Sequence, residues 1–204
     1  EIEYLEKRNI PVPMKKSDAI VYQPQEVSLQ DRLLGEFRTA KGLKARLVLA
    51  HEIFKNRQDL SDAAGAIREM LATINSDINS HQRTLPALAL EAVFLRDEVQ
   101  GEMGLPVPPA QVTAQSIWLQ CQNLSQVLEQ IQAAKHRPAL ISLKEALPDR
   151  WVAELLKAVN GVTPKLCHDC VQLLIQEGHL EQLKETLARL INQHQAMSDV
   201  LFWM

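Results

Sequence analysis

The chain has 204 residues, of which 46% are apolar and only 4% aromatic, with a formal net charge of −3. That charge lacks the basic excess that binding to a phosphate backbone needs. Three cysteines, an odd number, argue against a disulfide framework and for a reducing, cytoplasmic setting. A core of Leu, Ile, Val and Ala favours helices over strands, which enrich in β-branched and aromatic residues. The sequence contains no apolar run of about 18 residues, so no transmembrane helix is expected.

Residues 1–27 read as an extended arm. Pro11, Pro13 and Pro24 forbid a continuous helix, and residues before proline prefer extended geometry. Its Val12, Met14, Ile20, Val21 and Tyr22 suggest that it lies against something. Residues 28–100 form a first helical lobe. Ser28 is a cap for a helix carrying Leu29, Leu33, Leu34 and Phe37 at helical spacing, and Gly42 breaks it. A second helix follows with Leu43, Leu47, Ala50, Ile53 and Phe54 on one face. Asp59 or Ser61 caps a third through Ile67, Met70 and Ile74, and Leu85 to Val99 gives a fourth.

Residues 101–111, with Gly104, Pro106, Pro108 and Pro109, read as a linker. Residues 112–204 form a second lobe. One long helix is expected from Val112 to Ala134, ended at Arg137-Pro138. Shorter helices then cover Pro138 to Ala146, the stretch from Trp151, and the stretch from Pro164, where Thr163 is the cap and proline takes the first position. Gly178 closes that last helix in the left-handed conformation, and Leu180 to Gln193 returns. Serines 28, 61, 116 and 198 read as caps. The apolar run Val200-Leu201-Phe202-Trp203-Met204 after Ser198 leads us to expect an excerpt of a longer protein, truncated at its C-terminus.

Short connectors between these helices make antiparallel hairpins, each with a second apolar face to cover. The expected fold class is all-α: an irregular helical-hairpin repeat stack, an α-solenoid of HEAT- or TPR-like kind, with an extended N-terminal arm. A compact bundle is the alternative. The consensus positions of tetratricopeptide and ankyrin repeats are missing.

Few patterns suggest chemistry. Cys167-His168-Asp169-Cys170 has thiolate spacing for zinc, but a tetrahedral site needs two more ligands and no second cysteine pair exists. Two small buried thiols on an apolar helix face account for it. His51-Glu52-Ile53-Phe54-Lys55 is half of a zincin helix, with Lys55 where the second histidine would stand, and reads as a solvated edge. None of the six histidines has a glutamate three residues before it, which argues against a di-iron bundle. The seven glycines sit at helix ends and in the linker, so no phosphate loop is formed. We expect no catalytic residue, cofactor or metal. Lys7, Arg8, Lys15 and Lys16 near Tyr4 and Tyr22 are the basic group with aromatic company; they support nucleic-acid contact as an alternative, largely cancelled by Glu1, Glu3 and Glu6. Trp118 and Trp151 read as core and Trp203 as the exception. Lys15, Lys16, Tyr22 and Trp203 are therefore the candidate interaction residues.

A lysine pair in a proline-broken arm (Pro11-Val12-Pro13-Met14-Lys15-Lys16-Ser17-Asp18) leads into helical hairpins that continue to Leu180-Glu181-Gln182-Leu183-Lys184-Glu185-Thr186-Leu187-Ala188-Arg189-Leu190-Ile191. This order resembles the long helical extension that precedes the Gre-type transcript-cleavage factor domain in some bacterial lineages. Gre factors act through an antiparallel coiled coil with acidic residues at its tip, backed by a small sheet domain. Neither pattern stands in this sequence, so the resemblance carries no catalytic residue over. It implies an auxiliary, non-catalytic role with a protein partner, either RNA polymerase or the rest of the same chain, and no membrane.

Overall fold

The computed structural model describes residues 28–159 and 163–203, with side chains to Gln193. Ten helices occupy these residues, and among them there is no strand. The arm at 1–27 and the Asn160-Gly161 stop lie outside the described residues.

The first four helices follow the apolar periodicity closely. Helix α1 (Leu29–Thr39) starts at Ser28, whose Oγ accepts from the Asp31 N–H at 3.1 Å, and buries Leu33, Leu34 and Phe37. Helix α2 (Leu43–Lys55) buries Leu43, Leu47, Ala50, Ile53 and Phe54. Helix α3 (Ala63–His81) is capped by Asp62, one residue beyond the expected Ser61, through a 2.8 Å bond from the Gly65 N–H. A Cβ at position 65 would stand 2.0 Å from the Asp62 carboxylate, so a glycine is what lets this cap close. Ser61 instead donates to Gln30 Oε1 at 2.9 Å, tying the starts of α1 and α3 together.

Helix α4 (Pro86–Met103) differs in kind. Residues Ala89 to Val93 are buried without interruption, so that part of the helix is enclosed on every side, while Asp97, Glu98 and Glu102 further on face solvent. It packs against α2 and α3 and, beyond the 104–113 segment, against α5 (Ala114–Trp118) and α6 (Leu124–Gln130). Gly104 closes it in the left-handed conformation, φ 60°.

The long helix expected from Val112 to Ala134 is two short ones, α5 and α6, followed by a 3-10 turn at Ala133–Lys135. Local capping overrides the apolar stripe. Thr113 and Ser116 form a reciprocal capping box that starts α5, and Asn123 accepts from the Gln126 N–H at 3.3 Å to start α6. Ser116 thus acts from inside its helix.

Helix α7 (His136–Ala146) begins two residues before Pro138, which the first turn tolerates. Helix α8 (Trp151–Ala158) and helix α9 (Pro164–Gln176) follow, with Pro164 in the first turn as expected. Gly178, at φ 84°, ends α9: the His179 N–H reaches Leu174 O at 2.8 Å and the Gly178 N–H reaches Ile175 O at 3.1 Å. Helix α10 (Leu180–Trp203) runs through Ser198, which is therefore not a cap.

A contiguous apolar cluster extends from Leu33 in α1 to Leu183 in α10. Trp118 and Trp151 are both buried in it, as the sequence reading expected. Among the described helices, none is long and apolar enough to cross a membrane.

Candidate functional site

The polar residues that matter most lie on α4. Their signal in the sequence is easily passed over. A helix apolar on every face must bury whatever polar residues it carries, and those residues then need partners. Glu91, Arg96 and Gln100 are all buried there, and two clefts open on either side of them.

Arg96 is 1% exposed. Its Nη2 donates to the Val112 carbonyl at 2.9 Å and to Asp97 Oδ1 at 2.8 Å, and its Nη1 donates to Asn75 Oδ1 at 3.3 Å. The Gln111 side-chain amide stands against the same guanidinium, one of its atoms 2.7 Å from Nη2, a contact that assigns the amide oxygen to that side. One side chain thereby fastens the proline-rich segment to α4 and α3. The cleft beside it, about 420 Å³, is walled by Gln100, Leu105, Val107, Pro108, Pro109 and Thr113. Because the guanidinium is occupied by protein acceptors, this cleft is the outside of a clasp.

Glu91 is the opposite case. It is 5% exposed, and one oxygen, Oε1, accepts from the Gln132 N–H at 2.7 Å. Among the described residues no other donor meets the carboxylate, and no lysine or arginine pairs with it. Lys135 is engaged with Glu98 at 3.0 Å, and Lys44 lines the cleft unpaired. The cleft, about 380 Å³, is bounded by Leu85, Ala87, Leu88, Gln130 and Gln132, with Leu85 43% exposed at its rim.

Burial pushes the Glu91 carboxyl above the usual glutamate range, opposed by the Gln132 N–H and by the positive charges of Lys44 and Lys135. A carboxyl raised in the folded state contributes stability that is full below the unfolded value and is lost as pH rises through the folded value. Glu91→Gln keeps an acceptor for Gln132 and removes the charge. Urea unfolding at pH 4 and pH 7 is therefore expected to show the variant gaining on the native protein as pH rises.

His136, at the start of α7, is also buried. Its Nε2 lies 3.1 Å from Ile131 O and its Nδ1 lies 3.2 Å from Asp169 Oδ2 on α9. Both ring nitrogens face acceptors, so the ring bridges the end of α6 and α9. Asp169 belongs to the Cys167-His168-Asp169-Cys170 pattern, so one member of that motif joins two helices.

The thiols of that motif are packing groups. Cys170 is fully buried and Cys167 half-buried. Burial, then the neighbouring Cys167 and Asp169, push the Cys170 thiol up to about 12. Cys170 is expected to resist a thiol-reactive disulfide at pH 8 in the native protein and to react within seconds once guanidinium unfolds it. Rapid native labelling at position 170, read by mass spectrometry, contradicts this. Among the described residues, no group of three or more His, Cys, Asp or Glu is placed to hold a metal ion. His51 and Glu52 are exposed beside buried Ile53 and Phe54, a solvated edge as read from the sequence.

Lys15, Lys16 and Tyr22 lie outside the described residues, and of Trp203 only its place in α10 is described. Glu91 and Arg96 are not among the sequence-derived interaction candidates.

The described residues thus form an all-helical fold in which three of the buried polar side chains, Glu91, Arg96 and Gln100, sit on one helix. Its residues 29–204 match the family model of the GreA-associated C-terminal domain, and the chain belongs to that family. No curated protein and no solved structure matches it.

Proposed function

We propose that this chain is a non-catalytic helical scaffold for protein–protein interaction, an irregular repeat-like stack of hairpins serving as an auxiliary part of a bacterial transcription elongation factor. Family membership links it to the Gre context. The observation that supports a binding role is the Glu91 cleft, a concave place between helices where apolar walls surround a carboxylate that the fold leaves half satisfied. Helical hairpins hold such concave places rigidly and cheaply, because each neighbour fixes the next. The partner in this reading is a Gre-type factor, whether on a separate chain or as the rest of the same one, and through it RNA polymerase.

Calorimetry of the purified chain with a Gre-type factor and with core RNA polymerase tests this. A saturable complex of micromolar or tighter Kd with either is expected, without turnover of nucleotides or peptides. Absence of any complex, or robust hydrolysis in a clean preparation, rejects it.

A further inference from the structure

We infer that the Glu91 cleft is a receptor for one cationic side chain, a lysine or arginine, presented by the partner polypeptide. This inference rests on the protein-interaction reading above.

Three observations carry it. First, Glu91 is only 5% exposed, with Oε1 on the Gln132 N–H and Oε2 met by no described donor, yet Oε2 is not sealed from water and so faces the cleft. An acceptor left open in this way can take an incoming donor without displacing a protein one. Second, the protein's own cations are not used for this purpose. Lys135 is held by Glu98 about two turns further along α4, and Lys44 stands at the cleft wall without closing on the carboxylate. Third, the walls suit the rest of such a side chain. Leu85, Ala87 and Leu88 offer apolar surface for a methylene stem, while Gln130 and Gln132 ring the entrance with amides that can bond the flanking backbone.

An anionic occupant is excluded by Glu91 itself, and a wholly apolar one would seal the carboxylate away from water with one oxygen unmet. A cation satisfies that oxygen, and beside a residue only 5% exposed the pairing is stronger than at a fully exposed surface. The occupant is therefore distinguished by charge together with stem length.

The test uses the full chain labelled with nitrogen-15. Titration with n-butylammonium chloride, the lysine side chain without its backbone, is expected to shift the Gln132 amide, together with Leu88 and Gln130, in a saturable way. 1-Butanol, equal in size and uncharged, is expected to leave Gln132 unmoved. Glu91→Gln, which keeps the bond to Gln132, is expected to lose at least about tenfold in butylammonium affinity. Glu36→Gln, at an exposed carboxylate on α1, is expected to keep it. An equal response to butanol, or a response unchanged in Glu91→Gln, overturns the inference.

A second arm separates this inference from the scaffold reading. If the native chain binds a Gre-type factor and Glu91→Gln binds it about tenfold more weakly, the cation receptor is supported in its protein context. If both bind the factor equally, the receptor is overturned while the scaffold stands. If neither binds but butylammonium still responds through Glu91, the receptor stands and its proposed partner falls.

Discussion

Trp118→Ala is expected to lower the unfolding free energy by about 4 kcal/mol. Trp118 is 1% exposed between α5 and α7, and its indole N–H donates to Ser142 Oγ at 2.8 Å. The serine in turn donates to Ala139 O at 2.9 Å, so it remains bonded when the indole is gone. The loss is therefore one of packing: a large ring leaves a void that two short helices cannot close. Trp118→Phe isolates the hydrogen bond and should cost closer to about 1 kcal/mol beyond its smaller volume change. Urea unfolding followed by circular dichroism reads both, and a loss below about 1 kcal/mol for the alanine variant would place Trp118 outside the core.

Arg96→Met should cost about 3 kcal/mol and accelerate amide exchange through residues 104–113. The methionine keeps most of the stem volume but releases the Val112 carbonyl, Asn75 and Gln111 at once. Asp97, whose side chain is 54% exposed, is rehydrated without much loss, which keeps the figure below that of a fully buried ion pair. For a domain of this size the melting temperature should fall by roughly 6–12 °C. Exchange that speeds up equally in α1 would show global weakening instead of an opened clasp.

Much of the helical layout was legible because the local signals agreed. Ser28, Pro164 and Gly178 each do in the structure what their chemistry suggests, and the stripes of α1 to α3 and α9 mark their buried faces. The reading went astray where two signals conflicted. From Val112 to Ala134 the apolar spacing argued for one helix, while Thr113 and Asn123 each start a new one. Periodicity records what a helix would bury, not whether the backbone continues, and a side chain that bonds its own backbone decides the second question. Ser198 failed in the other sense, since a serine within α10 has no free helix start to cap.

The candidate site was harder to find for a related reason. Glu91 and Arg96 lie within Pro86-Ala87-Leu88-Ala89-Leu90-Glu91-Ala92-Val93-Phe94-Leu95-Arg96, where charged residues read as punctuation on an apolar helix. Only the packing of helices on every side of α4 shows that both are inside. Arg96 depends on the Val112 carbonyl and Glu91 on the Gln132 N–H, sixteen and forty-one positions away in the chain, and helical periodicity does not reach that far.

Five residues of unbroken helix separate Glu91 from Arg96, which is about 7.5 Å along the axis and roughly 140° around it. The carboxylate and the guanidinium are thus mounted on opposite flanks of a single spindle held in place by four neighbours. Because both groups ride on one helix, a substitution that displaces α4 disturbs the Gln132 N–H contact and the Val112 carbonyl contact together.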